Sequence, residues 1–154
     1  MTTAEELGVV STQFGLSSSK VLERELGRLM KQDPLLKQLM GGEVAAFTAV
    51  AEDTPMPYIV YNETRLDEWD TDTTQGGEHT ILLQVWSDRE SEAFIKEVLY
   101  AIRKLFDRLE RTTFSISPYR LVMMDFQLQD VVRESDGQAF YGTVQFRALT
   151  GGGR

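Results

Sequence analysis

The sequence predicts an α+β fold in which an antiparallel or mixed β-sheet carries helices packed on one face. Two segments repeat apolar residues at helical spacing, and several others alternate apolar and polar residues as strands do. The strands are too few, and their connections too irregular, for a doubly wound parallel sheet. With 154 residues, the chain is long enough for one domain with its own core.

The first helix is predicted to begin at Ser18 or Ser19, either of which supplies an N-cap hydroxyl. The dipeptide 33–34 is Asp-Pro, which ends or interrupts this helix because proline disfavours helical backbone at the preceding residue. A short further turn is expected over 35–40. The apolar face of the main helix consists of Val21, Leu22, Leu26, Leu29 and Met30.

Two strands are predicted next, a short one over 43–51 and a second over 58–61, where the sequence Tyr-Ile-Val-Tyr is rich in β-forming residues. Residues 62–78 then carry six acids and one base. This composition predicts a long acidic loop in solvent or a mobile hairpin arm. Its charged residues are Glu63, Arg65, Asp67, Glu68, Asp70, Asp72 and Glu78.

The strongest strand prediction covers 79–87, where apolar Ile81, Leu83 and Val85 alternate with a mixed face. An amphipathic helix of roughly 20 residues follows, capped by Ser87, Asp88 or Ser91 and ending near Arg111. Its apolar stripe consists of Phe94, Val98, Ile102, Leu105 and Leu109.

Two more strands, 119–133 and 138–149, are predicted on either side of the turn sequence Ser-Asp-Gly at 135–137. Val122, Met124, Phe126 and Leu128 are expected to share one face of the first strand. Phe140, Gly142, Val144, Phe146 and Ala148 are expected to share one face of the second. The predicted organisation is a flexible segment 1–18, a single domain 19–150 and a flexible end 151–154.

Composition excludes several classes of function. The chain has no cysteine, which removes disulfides, thiolate zinc sites and cysteine nucleophiles. Its net charge of −8 is opposite to the bias of nucleic-acid-binding proteins, which attract phosphates with clustered lysine and arginine. No run approaches the roughly 18 apolar residues of a membrane helix, and residues 1–16 lack the basic start and apolar middle of a signal peptide. We therefore expect no membrane association.

His79 is the only histidine and hence the first candidate for a general base. One interpretation gives it the carboxylate of Glu78 as an orienting partner. Adjacent strand residues project to opposite faces, however, which argues against that pair. We expect a surface or edge histidine without a catalytic role, with the catalytic interpretation left as an alternative.

Residues 70–74, Asp-Thr-Asp-Thr-Thr, resemble a calcium loop, because spaced carboxylates bind hard cations. The EF-hand pattern is not met, since Gln75 stands where it requires glycine and Ile81 where it requires glutamate. An irregular cation site and a docking arm for a basic partner remain as alternatives, and the docking arm is favoured. Neither glycine pair precedes the Gly-Lys-Ser/Thr of a phosphate loop. We expect no metal, no cofactor and no enzyme activity.

Candidate interface residues come from two regions. Unpaired strand edges accept other chains, and aromatic residues are enriched at interfaces. The acidic segment contributes Glu63, Arg65, Asp67, Trp69, Asp70 and Asp72. The polar and aromatic face of the sheet contributes Gln84, Trp86, Gln127, Gln129, Tyr141, Gln145 and Arg147.

Three runs, in their order and spacing, carry a resemblance to a known family. They are Pro-Tyr-Ile-Val-Tyr at 57–61, His-Thr-Ile-Leu-Leu-Gln-Val-Trp-Ser at 79–87, and Tyr-Gly-Thr-Val-Gln-Phe-Arg-Ala at 141–148. With the long helix between the last two, the chain resembles, over about 20–150, the small tail-completion or tail-terminator proteins of long-tailed, siphovirus-like phages and of gene transfer agents. The acidic segment and the first 18 residues correspond least.

The resemblance implies a non-enzymatic virion protein assembled in the bacterial cytoplasm. Such proteins form a ring, commonly of six subunits, at the head-proximal end of the tail tube. The ring ends tube growth and joins the tail to the head. The implied partners are other copies of the chain, the tail tube protein and the head-tail connector or stopper protein. DNA passes through the ring without specific binding.

Two alternatives belong to other classes of protein. A soluble adaptor would bind one basic partner through residues 62–78 and remain a monomer. A small enzyme would depend on a metal or on His79, so that H79A would abolish its activity.

Overall fold

The structure is a computed structural model that describes residues 15–89, 91–133 and 139–154. The first fourteen residues of the segment predicted to be flexible and the predicted turn at 135–137 lie outside the described residues. In chain order the elements are α1 (Ser18–Gln32), α2 (Pro34–Leu39), β1 (Ala46–Phe47), β2 (Tyr58–Glu68), β3 (Gly76–Ser87), α3 (Glu92–Phe106), a 3₁₀ turn (Leu109–Arg111), β4 (Arg120–Arg133) and β5 (Phe140–Gly151).

The described strands form one mixed sheet in the order β1-β2-β3-β5-β4. β1 pairs with β2 in parallel, and every other neighbouring pair is antiparallel. The helices lie over one face, so the predicted α+β class is confirmed.

The core lies between that face and the helices. α1 buries Leu22, Leu26 and Met30, and α3 lies across the middle of the sheet. The predicted apolar faces of β3 and β5 both point into this layer, which confirms their alternation. Gly142 permits the close approach of α3, because a Cβ there would lie 2.4 Å from Cγ2 of Ile95.

Helix boundaries differ slightly from those predicted. The N-cap is Ser17, whose Oγ accepts a hydrogen bond from the backbone N–H of Lys20 at 3.2 Å, while Ser18 is buried inside the helix. α3 ends at Phe106 rather than near Arg111, because the backbone of Asp107 is extended and that of Arg108 is left-handed, with φ of 59°. Ser91, one of three predicted caps, is the N-cap of α3.

The acidic segment is not a solvent loop. Most of it forms the paired ends of β2 and β3, which pair from 63 opposite 81 to 68 opposite 77 with one register shift between 63 and 65. The hairpin alternative was therefore the better prediction, although β5 flanks β3 along its whole length and the hairpin does not stand free. The acidic composition of 62–78 predicted a loop incorrectly, because charged side chains on an open sheet face are compatible with a backbone that is paired in strands.

Residues 151–154, predicted to be a flexible end, make defined contacts in the structure. Gly151 is the last residue of β5. The backbone N–H groups of Gly152 and Gly153 donate to the carbonyl of Gln75, and Arg154 reaches the side chain of Asp70. The end of the chain thus closes over the turn between β2 and β3.

Candidate assembly surface

No described helix covers the second face of the sheet, which we call the outer face. It is composed of the alternate residues of each strand, and most of them are half-buried or exposed. One row crosses four strands at one end of this face and is strongly apolar: Tyr58, Trp86, Tyr141 and Val132. The rings of Trp86 and Tyr141 stack with centroids 4.6 Å apart, which confirms that these two residues share a face.

Two irregularities in β4 add apolar area to the outer face. The register shifts between 121 and 123 and again between 126 and 128. The second shift places Leu128 opposite Gln145 of the outer face, so the prediction that Leu128 shares a face with Met124 and Phe126 is wrong. Leu128 is 47% exposed and Val132 38% exposed. A β-bulge inserts one residue and thereby reverses the facing of every residue that follows.

Glutamines occupy the middle of the outer face. The side chain of Gln145 donates to Oε1 of Gln127 at 2.8 Å, and Nε1 of Trp86 donates to Oε1 of Gln84 at 3.4 Å. Gln129, by contrast, lies opposite Val144, a residue of the helix-covered face, because of the bulge. Six of the seven residues predicted for the polar and aromatic face therefore lie on the outer face, and Gln129 is separated from them.

The other end of the outer face carries ion pairs. Arg147 donates to Oε2 of Glu78 at 2.9 Å, and this hydrogen bond lowers the pKa of Glu78. Arg65 makes two hydrogen bonds to Asp67, at 2.7 and 3.1 Å, which lower the pKa of that carboxyl. The outer face is therefore apolar at one end and charged at the other.

The turn joining β2 and β3, residues 69–75, forms the tip of the hairpin. The backbone N–H of Trp69 donates to the carbonyl of Gly76 at 3.0 Å, and the side chain of Asp70 accepts from the backbone N–H of Gly76 at 3.1 Å. Arg154 binds Asp70 and also lies 3.6 Å from Glu68. Asp72, at the centre of the turn, is exposed.

His79 does not lie at the surface, so that prediction is wrong. It is fully buried, with Nδ1 bonded to the carboxylate of Glu63 and Nε2 lying 2.8 Å from the hydroxyl of Thr150. Ser19 of α1 donates to the same carboxylate at 2.8 Å. Glu63 accordingly lies under the helices and not on the outer face. Glu78 points away to Arg147, as the alternation of strand residues predicted.

Both edges of the sheet are protected in part, by different means. On β4, the backbone of Met124 bonds to Arg108 and Glu110, and the N–H of Phe126 donates to Asp107 at 3.0 Å. These groups occupy the hydrogen-bonding positions that another strand would need. β1 covers β2 only at 59 and 60, and within the described ranges no backbone pairs with the remainder of that edge.

A groove lies beside this uncovered part of β2, between α1 and the segment that follows β1. Its volume is about 600 Å³. The charged residues that line it are Glu23, Arg24, Arg28 and Lys31, a formal charge of +2 in a chain of −8. Tyr61 also lines it, and the hydroxyl of Tyr61 is buried without a hydrogen-bond partner among the described residues. Burial is the main cause of its raised pKa.

Among residues 15–89, 91–133 and 139–154, no cluster of three or more histidine, aspartate or glutamate side chains is arranged to hold a metal ion. None of the helices described is long and apolar enough to cross a membrane.

Comparison with known proteins agrees with this fold. The family model described as "Tail completion protein gp17" matches residues 24–151. A chain in the solved structure "Virion of native gene transfer agent (GTA) particle" superimposes with a TM-score of 0.77 at 20% identity, covering 90% of this chain and 100% of that one. No curated protein matches the chain.

The match places the chain in the class of structural virion proteins of phage-like tails. More specifically, it belongs to the tail completion family, since the family model covers most of its length. The resemblance seen in the sequence is therefore confirmed, as is its assignment to the virion tail.

Proposed function

We propose that this protein forms a ring, of six subunits by resemblance, at the head-proximal end of the tail tube. The ring ends tube polymerisation and joins the tail to the head connector. Its partners are other copies of the chain, the tail tube protein and the connector or stopper protein. The family membership supports the class of function, and the outer face supports the assembly role.

The observation that carries the proposal is the apolar end of the outer face. The stacked pair Trp86 and Tyr141 lies in one row with exposed Val132, on a sheet face that no described element covers. Leu128 is exposed on the same face, two rows further along β4 and beyond Asp130. Exposed apolar patches rimmed by polar residues mark interaction sites in proteins. A subunit or the tube would cover it in the assembled particle.

Net charge fits passage of DNA through such a ring. A chain of formal charge −8 presents a field that repels phosphates, so DNA can slide without binding. A reconstruction of the ring with lysine and arginine clustered around the channel would contradict this part of the proposal.

Electron microscopy of particles made without this gene tests the function. We expect overlong or headless tails beside filled heads that lack tails, and complementation by the wild-type gene should restore normal particles. Normal, infectious particles in the deletion would overturn the proposal. The soluble adaptor would then be the leading alternative, although its acidic segment is paired strand and not a separable loop.

A matched pair of substitutions tests the outer face itself. L128E puts a charge on the outer face, whereas Y100E puts the same charge on an exposed residue of α3, which is 54% exposed. We expect L128E to reproduce the deletion phenotype and Y100E to complement. Equal complementation by both folded variants would remove the outer face from the assembly role.

A further inference from the structure

Charge is distributed unevenly between the two layers of the fold. The three helices together hold eight basic and four acidic residues. The β2–β3 hairpin, 58–87, holds six acidic residues and one basic residue. One chain therefore carries both a basic helical surface and an acidic hairpin.

The basic surface includes a recess. The groove between α1 and β1 is rimmed by Arg24, Arg28 and Lys31, all exposed. The acidic residue in its lining, Glu23, is paired with Lys20 at 2.8 Å. Arg24 and Arg28 both bond to the neighbouring Glu25, at 3.1 and 2.9 Å. The four basic residues of α1 outnumber its two acidic residues, so this side of the groove keeps a net positive charge that favours an acidic occupant. The groove adjoins the edge of β2 that β1 leaves uncovered.

The acidic tip of the hairpin is complementary in charge to the basic groove. Asp70 is used internally, since it binds the N–H of Gly76 and Arg154, and this contact orders the turn. Asp72 remains exposed, and the side chain of Glu68 is 76% exposed. The tip thus presents carboxylates on a turn whose backbone is already held, which reduces the entropy lost on docking.

The tip and the groove of one molecule are too far apart to meet. Eight residues of extended strand separate Tyr61 in the groove from Trp69 at the start of the tip, which is about 26 Å at about 3.3 Å per residue. Any contact between tip and groove must therefore join two molecules. It would also be heterologous, since two different surfaces meet, and such contacts close into rings when the rotation permits.

We propose that the hairpin tip of one copy docks in the basic groove of the next copy, with Asp72 and Glu68 facing Arg24, Arg28 and Lys31. The inference rests on the proposed ring and names the surfaces that join its subunits. Pairing two copies through their β2 edges is disfavoured, because the uncovered part of that edge carries Asp67 and Glu68 and would bring the like charges of two copies together.

Engineered cysteines test the contact directly, because the chain has no cysteine of its own. The variant R28C/D72C, purified in assembled tails and oxidised, should give a ladder of linked species that ends at the subunit number of the ring. Subunits that carry only R28C, or only D72C, should stay unlinked when each variant is oxidised by itself. A mixture of the two variants should give cross-linked dimers. The control K96C/D72C uses an exposed position on α3 and should give no ladder.

Charge exchange tests the same contact without cross-linking. R28E and D72K should each reduce ring assembly on tubes about tenfold at low salt, and R28E/D72K should restore it because the pair is re-formed with reversed signs. Both residues are exposed, so neither change should prevent folding.

The possible results separate this inference from the proposed function. If R28C/D72C formed rings on tubes but gave no ladder on oxidation, or if R28E/D72K did not recover ring assembly, the docking contact would be overturned. The proposed ring itself would be unaffected by either result. A ladder from D72C alone would show a like-to-like contact and would also overturn it. Normal tails in the gene deletion would instead overturn the ring itself.

Discussion

Replacing Thr150 by valine tests the buried group that ties the hairpin to the helix layer. Thr150 and His79 are both fully buried, and their side chains lie 2.8 Å apart. Because the ionised carboxylate of Glu63 can only accept, Nδ1 of His79 carries a hydrogen, and Nε2 makes its hydrogen bond with the Thr150 hydroxyl. T150V keeps the shape of the side chain and removes that hydroxyl.

The substitution should lower the free energy of unfolding, because it leaves Nε2 of His79 without a hydrogen-bond partner in a site that solvent does not reach. A buried polar atom without its partner destabilises by about 1–3 kcal/mol. For a domain of this size, each kcal/mol lowers Tm by about 2–4 °C, so Tm should fall by about 2–12 °C. Thermal and urea unfolding followed by circular dichroism measure both quantities.

Thr143 provides the matched control. It lies on the same strand β5 but on the outer face, opposite Gln84 of β3. T143V should change the free energy of unfolding by no more than about 0.5 kcal/mol. If T150V proved as mild as T143V, the reasoning that assigns stability to the His79–Thr150 hydrogen bond would be refuted.

Three further predictions concern packing, pH and the tip. G142A places a Cβ 2.4 Å from Cγ2 of Ile95 and should cost about 1–3 kcal/mol of overpacking, so an unchanged urea midpoint would contradict the close approach of α3. The hydrogen bond from Arg147 lowers the pKa of folded Glu78, so its stabilising effect is present above the usual glutamate pKa and lost as pH falls through the lowered value. E78Q should therefore reduce stability by up to about 1 kcal/mol at pH 7, and a difference that persisted at pH 2 would argue against this linkage. R154A should speed amide hydrogen exchange across 69–76 by up to about fivefold, and unaltered exchange there would show that the chain end does not hold the tip.

Several surface positions could be predicted because they depend only on alternation along a regular strand. Trp86 and Tyr141 were predicted to share a face, and they stack on it. The same rule separated Glu78 from His79. Gln129 and Leu128 were misplaced, because a bulge changes the facing of the residues after it and the sequence gives no clear sign of a bulge.

The groove and the hairpin tip could not be located from the sequence. The groove exists because β1 stops after two residues while β2 continues. The tip is ordered by Arg154, 84 residues from Asp70 in the chain. Neither the groove nor the ordered tip produces a periodic pattern of residues in the sequence, since each depends on where distant segments of the chain end.

By itself, the sequence determined the class of the fold, the two amphipathic helices, the buried faces of β3 and β5, and the resemblance to the tail completion family. These properties rest on residue spacing and order, which are local. Only the tertiary structure decided that the acidic segment is paired strand and that His79 is buried against Glu63 and Thr150. Partners 16 and 71 residues away supply those hydrogen bonds, and a backbone already paired across a sheet tolerates charges that alone suggest a loop.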